Sequence, residues 1–273
     1  MTYDPRNTLA REDLAAESLE GIVRAARFVR PEAMQCVAAS AAIRRDASEA
    51  SEQMDQILFG EVFEVAERRD GWLWGQARRD GYVGWLRKDA LAEPVIAPTH
   101  RIAALRTYAH PEPDMKTGPG LLLTMNALVT VEATDGKFVR LARAGWVAQS
   151  HLGDLLTFED DMAGVAELYL GAPYQWGGRE SLGLDCSGLV QQALLACGKG
   201  CPRDADMQEA ELGEVIGEAD VARGDLVFWK DHVGILLDRD RLIHANGFHM
   251  AVAVEPLSEA VARNGTPTRY RRP

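Results

Sequence analysis

Cys186, with His232 and His244 downstream, forms the set of side chains in this sequence best suited to covalent chemistry. The cysteine lies within residues 183–198, GLDCSGLVQQALLACG. There Leu189, Val190, Ala193, Leu194 and Cys197 recur at helical spacing, which predicts an amphipathic helix with one buried face. Asp185 stands where an N-cap belongs, and Gly198 closes the far end. A thiol in the first turn meets the positive end of the helix dipole and unpaired N–H groups, so its pKa is expected to be lowered. Taken alone, a cysteine is more often a small buried apolar residue than a nucleophile. A nucleophilic thiol needs a base, and the base needs a group that orients it.

The histidines supply both if the chain folds back at the right register. Gly224-Asp225 signals a turn, residues 226–229 are apolar and extended, and Lys230-Asp231 turns again. Residues 232–237 (HVGILL) and 242–246 (LIHAN) read as strands joined by the polar turn DRDR. If Leu237 opposes Arg241, then Gly234 opposes His244, and His232 and His244 become diagonal neighbours on one face, about 7 Å apart. A slip of one residue would separate them onto opposite faces. With the cysteine 46 residues upstream of His232, the three together are more specific than any one of them.

These segments resemble the NlpC family of cell-wall cysteine peptidases. The resemblance is carried by Pro173-Tyr174-Gln175-Trp176-Gly177-Gly178, Leu184-Asp185-Cys186-Ser187-Gly188-Leu189, Gly224-Asp225-Leu226, Asp231-His232-Val233-Gly234-Ile235 and Ile243-His244-Ala245, in the family's order across residues 157–273. It implies a papain-like α+β domain with Cys186 as nucleophile, His232 as general base and acid, and His244 as the orienting residue. It implies that the Tyr174 hydroxyl and the Cys186 backbone N–H receive the oxyanion. The bond it implies is γ-D-glutamyl to a diamino acid in peptidoglycan stem peptides, and no metal or organic cofactor is called for.

Residues 1–30 form a charged leader with some helical periodicity at Leu14, Leu19, Ile22 and Val23. Residues 31–95 and 98–156 look like copies of one unit. Each ends in Gly-Trp, at Gly84-Trp85 and Gly145-Trp146, with a leucine six residues later, and both the tryptophans and the leucines are 61 residues apart. Phe59-Gly60-Glu61-Val62 similarly matches Met125-Asn126-Ala127-Leu128. Short alternating strands and tight turns predict two small β-barrels, which resemble bacterial SH3-like domains. The expected architecture is therefore α+β, a papain-like domain preceded by two all-β barrels. In the first barrel Trp72, Trp74, Tyr82 and Trp85 either pack the interior or line a groove. Tyr82 and Glu52 resemble substrate-facing residues of the cytosolic γ-D-glutamyl-diamino-acid peptidase subgroup. Asp185 and Ser187 flank the nucleophile with side chains expected to be free to face the cleft. The four together would bind a free α-ammonium, making the enzyme a dipeptidyl-peptidase.

Composition sets limits. Of 273 residues, 41 are acidic and 30 basic, and the net charge of −11 disfavours nucleic acid and anionic membranes as partners. Four dispersed cysteines form neither a disulfide framework nor a zinc site. No secretory signal or membrane-length apolar run is visible, so a monomeric cytoplasmic enzyme acting on a muropeptide fragment is expected. Two other functions use the same residues: a wall- or peptide-binding module with a silent hydrolase domain, and an acyltransferase working through a thioester. The intact set of Cys186, His232, His244 and Tyr174 disfavours the first, and the paired barrels disfavour the second.

Overall fold

The computed structural model describes residues 3–273, which form two compact units, Met1–Asp154 and Leu155–Pro273. The leader and both predicted barrels belong to the first of these.

In the first unit, seven strands pair antiparallel in the order Gln53–Leu58, Ser40–Arg44, Val83–Arg87, Trp72–Ala77, Val62–Arg69, Glu32–Cys36, Leu91–Ala92. Their inward positions, including Ile43, Ile57, Phe63, Leu73 and Leu86, make one core. A second core, of Ile102, Leu123, Val129, Val139, Leu141 and Val147, fills three small sheets between His100 and Asp154, and Phe59 of the first sheet packs into it. The two segments share a run of backbone elements. Strand Val83–Arg87, 3-10 turn Lys88–Ala90 and strand Leu91–Ala92 recur as Gly145–Ala148, Gln149–His151 and Leu152–Asp154. The matched Gly60 and Asn126 both take left-handed φ, 80° and 67°. That conformation is open to glycine and tolerated by asparagine.

Of the two forms open to the leader, a packed arm or a short helix, the described residues take the arm. Its described residues hold a 3-10 turn at Glu17–Leu19, a two-residue parallel pairing of Ala15–Ala16 with Phe28–Val29 and an antiparallel bridge between Ala10 and Ala15. Ile22, read as part of an apolar stripe, is 63% exposed. Leu9, Leu14 and Ala16 instead pack over Trp72, Trp74 and Trp85, and Arg11 stacks on the Trp74 ring at 4.0 Å. These tryptophans form a buried layer under the leader, the packing alternative of the two readings.

The second unit is built on an antiparallel six-stranded sheet. Its strands are β1 (Glu214–Ile216), β2 (Leu226–Trp229), β3 (His232–Leu236), β4 (Arg241–Asn246), β5 (Ala251–Pro256) and β6 (Arg269–Arg272), in the order β1-β6-β2-β3-β4-β5. The helices are α1 (Met162–Glu167), α2 (Cys186–Ala196), α3 (Ala205–Glu211) and α4 (Leu257–Asn264). Helix α2 packs on β3 and β4, with α1 and α3 beside it. It differs from the one-faced helix expected: ten of its eleven residues are buried, Gln191 and Gln192 included. A helix covered all round belongs to the interior of a domain.

Candidate active site

Local chemistry fixes the start of α2. The Asp185 carboxylate accepts the Gly188 N–H at 2.8 Å, the capping bond expected of an aspartate at this position. Gly188 is required by close approach, because a β-carbon there would lie 2.3 Å from the Gly178 carbonyl oxygen. At the other end, Gly198 (φ 74°) donates to Leu195 and Lys199 donates to Leu194, a Schellman closure. Cys186 thus occupies the first helical position, where its N–H has no intrahelical acceptor.

Asp185 and Ser187 are not free to face a cleft, contrary to expectation. Arg203, 1% exposed, donates to both Asp185 oxygens at 2.9 and 2.8 Å and to Ser187 Oγ at 2.9 Å. The Gly177 N–H takes a further place on Asp185 at 2.8 Å. The carboxylate is saturated and its charge balanced. Arg203 was missed because it stands alone after Cys201-Pro202, 18 residues from its partner, with no local pattern to mark it.

The histidine strands have the register that the spacing allowed. Ile235 pairs with Ile243 and Leu236 with Leu242, which sets Gly234 opposite His244. His232 Nε2 lies 2.8 Å from His244 Nδ1, and the ring centroids are 5.0 Å apart. Beyond them, His244 Nε2 lies 2.7 Å from Glu255 Oε1, and the same oxygen accepts from Arg263. Trp229 stacks obliquely beside His232, with centroids 5.8 Å apart. On the cysteine side, the Val233 backbone N–H, next to His232 in sequence, hydrogen-bonds toward the Cys186 thiol.

Glu255 was not foreseen, and hydrophobic patterning misdirects there. In AVAVEP, alternation would bury Val252 and Val254 and turn Glu255 outward. The structure leaves Val254 36% exposed and buries Glu255. Pairing of Leu242 with Glu255 and of His244 with Ala253 makes His244 and Glu255 diagonal neighbours.

Burial dominates the electrostatics. It pushes the Cys186 thiol up to about 12, assisted by the Asp185 charge and opposed by the Val233 N–H and by Arg203. The direction is opposite to the lowering expected from the helix terminus, and desolvation is its largest cause. Burial likewise pushes His232 down to about 4, helped by His244 and Arg263, and His244 down to about 4 against the pull of Glu255. Burial opposes ionisation of Glu255, but bonds from Arg263 and His244 hold its carboxyl below the usual range. At neutral pH the site holds a thiol, two neutral imidazoles and a carboxylate. Tyr174, half-buried, has its hydroxyl pushed up by burial and then by the Cys186 and Asp185 charges, so it stays a protonated donor.

His244, His249 and Glu255 each bring one ligand atom within 4.8 Å of the others. A cation there would have to displace the His244–Glu255 hydrogen bond in the presence of the Arg263 guanidinium, so this donor set is better suited to a proton. Of the eight candidate residues, Cys186, His232, His244, Tyr174, Asp185 and Ser187 belong to the second unit. Glu52 and Tyr82 belong to the first. Glu52 follows the loop after Ser40–Arg44 and pairs with Arg45 at 2.6 Å. Tyr82 is 2% exposed within the seven-stranded core.

A helix-borne thiol against an antiparallel sheet that carries paired histidines defines a papain-like cysteine hydrolase. Residues 171–268 match the NlpC/P60 family and residues 43–91 match the bacterial dipeptidyl-peptidase Sh3 domain. The chain therefore carries an NlpC/P60 peptidase domain preceded by one such SH3 domain, and it is a cell-wall cysteine peptidase. The family match covers only the first of the two β-segments. Among relatives, a protein named dipeptidyl-peptidase 6, from Lysinibacillus sphaericus, is 28% identical over 77% of this chain and 86% of its own. A gamma-D-glutamyl-L-lysine dipeptidyl-peptidase of Bacillus subtilis (strain 168) is 27% identical over 76% of each. The crystal structure of an NlpC/P60 family protein from Bacillus cereus ATCC 10987 superimposes with a TM-score of 0.77. It covers 88% of this chain and 99% of its own at 18% identity, so it shares the fold.

Proposed function

We propose that the chain hydrolyses the γ-D-glutamyl–diamino-acid bond of stem peptides with a free amino terminus, releasing L-Ala-γ-D-Glu. The observation that carries this reading is the hydrogen-bonded His232–His244 pair on the two strands against which the Cys186 helix packs. In this reading His232 takes the thiol proton as sulfur attacks the γ-carbonyl, because a thiol at about 12 beside an imidazole at about 4 is not ionised beforehand. The tetrahedral oxyanion is met by the Cys186 N–H and the Tyr174 hydroxyl. His232 then protonates the leaving amine, and a water molecule deprotonated by the same imidazole cleaves the thioester, freeing L-Ala-γ-D-Glu and returning the proton to the Cys186 sulfur.

The dipeptidyl restriction is supported by the names of the two relatives, which span most of this chain. Arg203 already balances Asp185, so that carboxylate has no charge to offer the free ammonium. A free terminus also arises when wall fragments are dismantled, so the proposed setting of the reaction is murein recycling in the cytoplasm. The test is product analysis by mass spectrometry with L-Ala-γ-D-Glu-diamino acid and its N-acetylated form. Cleavage of the free peptide alone is expected, with no cleavage by Cys186→Ala. Equal kcat/KM for both peptides would remove the dipeptidyl restriction, and full activity in Cys186→Ala would remove the nucleophile.

A further inference from the structure

We infer that Glu255, anchored by Arg263, is a positioning residue that sets the tautomers of both histidines and leaves a bare nitrogen on His232 for the thiol proton. This rests on the Cys186–His232 reading above and names a component that reading lacks.

The argument runs outward from the carboxylate. Glu255 is ionised and can only accept, so the nitrogen 2.7 Å from it, His244 Nε2, must carry a proton. A neutral imidazole has one N–H, which leaves His244 Nδ1 bare. The nitrogen 2.8 Å from that lone pair, His232 Nε2, must then be the protonated one. His232 is also neutral, so its Nδ1 is bare and able to accept. Two imidazoles in series pass the instruction from Glu255 to the base across two hydrogen bonds. Without the carboxylate both tautomers of His244 are allowed. In the wrong one, His244 Nδ1–H donates to His232, whose proton moves to Nδ1, and no acceptor for the thiol remains. Arg263 holds the carboxylate in place and ionised, and is itself held by stacking on Phe248, 4.3 Å from its ring centroid.

Once His232 takes the thiol proton, the Glu255 charge stabilises the imidazolium through His244. The charged and titratable groups that act on His232 are His244, Arg263 and Glu255, with the Cys186 thiol as its reaction partner. On His244 they are Glu255, Arg263 and His249. Of these only Glu255 favours the protonated histidines.

The experiment combines imidazole ¹⁵N NMR with kinetics on the full chain and on Glu255→Ala and Glu255→Gln. The wild type should show one tautomer for each histidine, with His232 protonated at Nε2. Glutamine keeps an acceptor and loses the charge. It should retain those tautomers, lose roughly 10-fold in kcat with KM within about twofold, and move the acid limb of the pH profile lower. Alanine loses both, so mixed tautomers and a kcat lower by on the order of 100-fold are expected. A single unchanged tautomer in Glu255→Ala, or kcat within about twofold of wild type, would overturn the inference. If the alanine variant does not fold, an unchanged kcat and acid limb in Glu255→Gln overturn it instead. Failure of the underlying reading looks different: activity would persist in Cys186→Ala or His232→Ala, whatever Glu255 does.

Discussion

Two buried carboxylates, each paired with an arginine, stand beside the proposed nucleophile and its proposed base, and they are built differently. Asp185 has both oxygens occupied, by Arg203, Gly177 and Gly188, and its arginine is almost inaccessible. Glu255 concentrates its contacts on Oε1, leaves Oε2 without a hydrogen-bond partner, and uses an arginine that is 25% exposed. The first pair binds the backbone of the helix start and has no lone pair to spare for a proton. The second holds one end of a proton-bearing chain and retains capacity to respond when charge appears on His232. Similar chemistry thus acts as a clamp in one place and as a proton guide in the other, and the number of satisfied oxygens tells them apart.

The largest effect should come from breaking the clamp. Arg203→Met leaves the Asp185 charge buried without its partner, and should cost about 3–5 kcal/mol of stability. Urea denaturation would show this as a lower midpoint, and an unchanged midpoint would mean that the pair is no clamp.

Acid should act on the guide next. In the unfolded chain each histidine protonates near its model value of 6.5, whereas His232 and His244 resist until about 4. Between those values the unfolded state binds more protons, so stability falls as pH drops from 6.5 toward 4. Glu255, depressed below its model value of 4.5, adds a loss in the same direction at the acid end of that window. Thermal melts across this range check it. A flat profile would mean that the imidazoles are not held neutral.

The smallest change in stability belongs to Arg263→Met. Its partly exposed guanidinium should contribute no more than about 1 kcal/mol to folding, while kcat falls several-fold as Glu255 loses its anchor. A midpoint shift as large as that of Arg203→Met would erase the distinction between the two pairs.

The parts legible in sequence were those written over short spans. Capping of α2 depends on Asp185 and Gly188, three residues apart, and the Schellman closure on Gly198 alone. The β3–β4 register follows from one turn, Asp238–Arg241, in which Asp238 Oδ1 accepts the Arg241 N–H at 2.9 Å. The repeat was legible because both Gly-Trp steps lead into the same 3-10 turn. What stayed hidden depends on distant partners. Arg203 has meaning only beside Asp185, and Glu255 faces inward against the alternation of its own strand. The direction of the thiol shift was misjudged because the dipole is a local property, whereas desolvation depends on everything packed around Cys186. The leader's choice of arm over helix has a related cause: its leucines answer to tryptophans some sixty residues away rather than to each other.

The near-complete enclosure of α2 has a consequence for how this protein can vary. From Cys186 to Ala196 only Leu195 escapes full burial, and the Gly188 position admits no β-carbon without displacing backbone. Such a helix offers almost no site where a substitution is silent. Inherited change in this peptidase is thus channelled away from the segment that bears Cys186, and toward its loops and outward-facing strand positions.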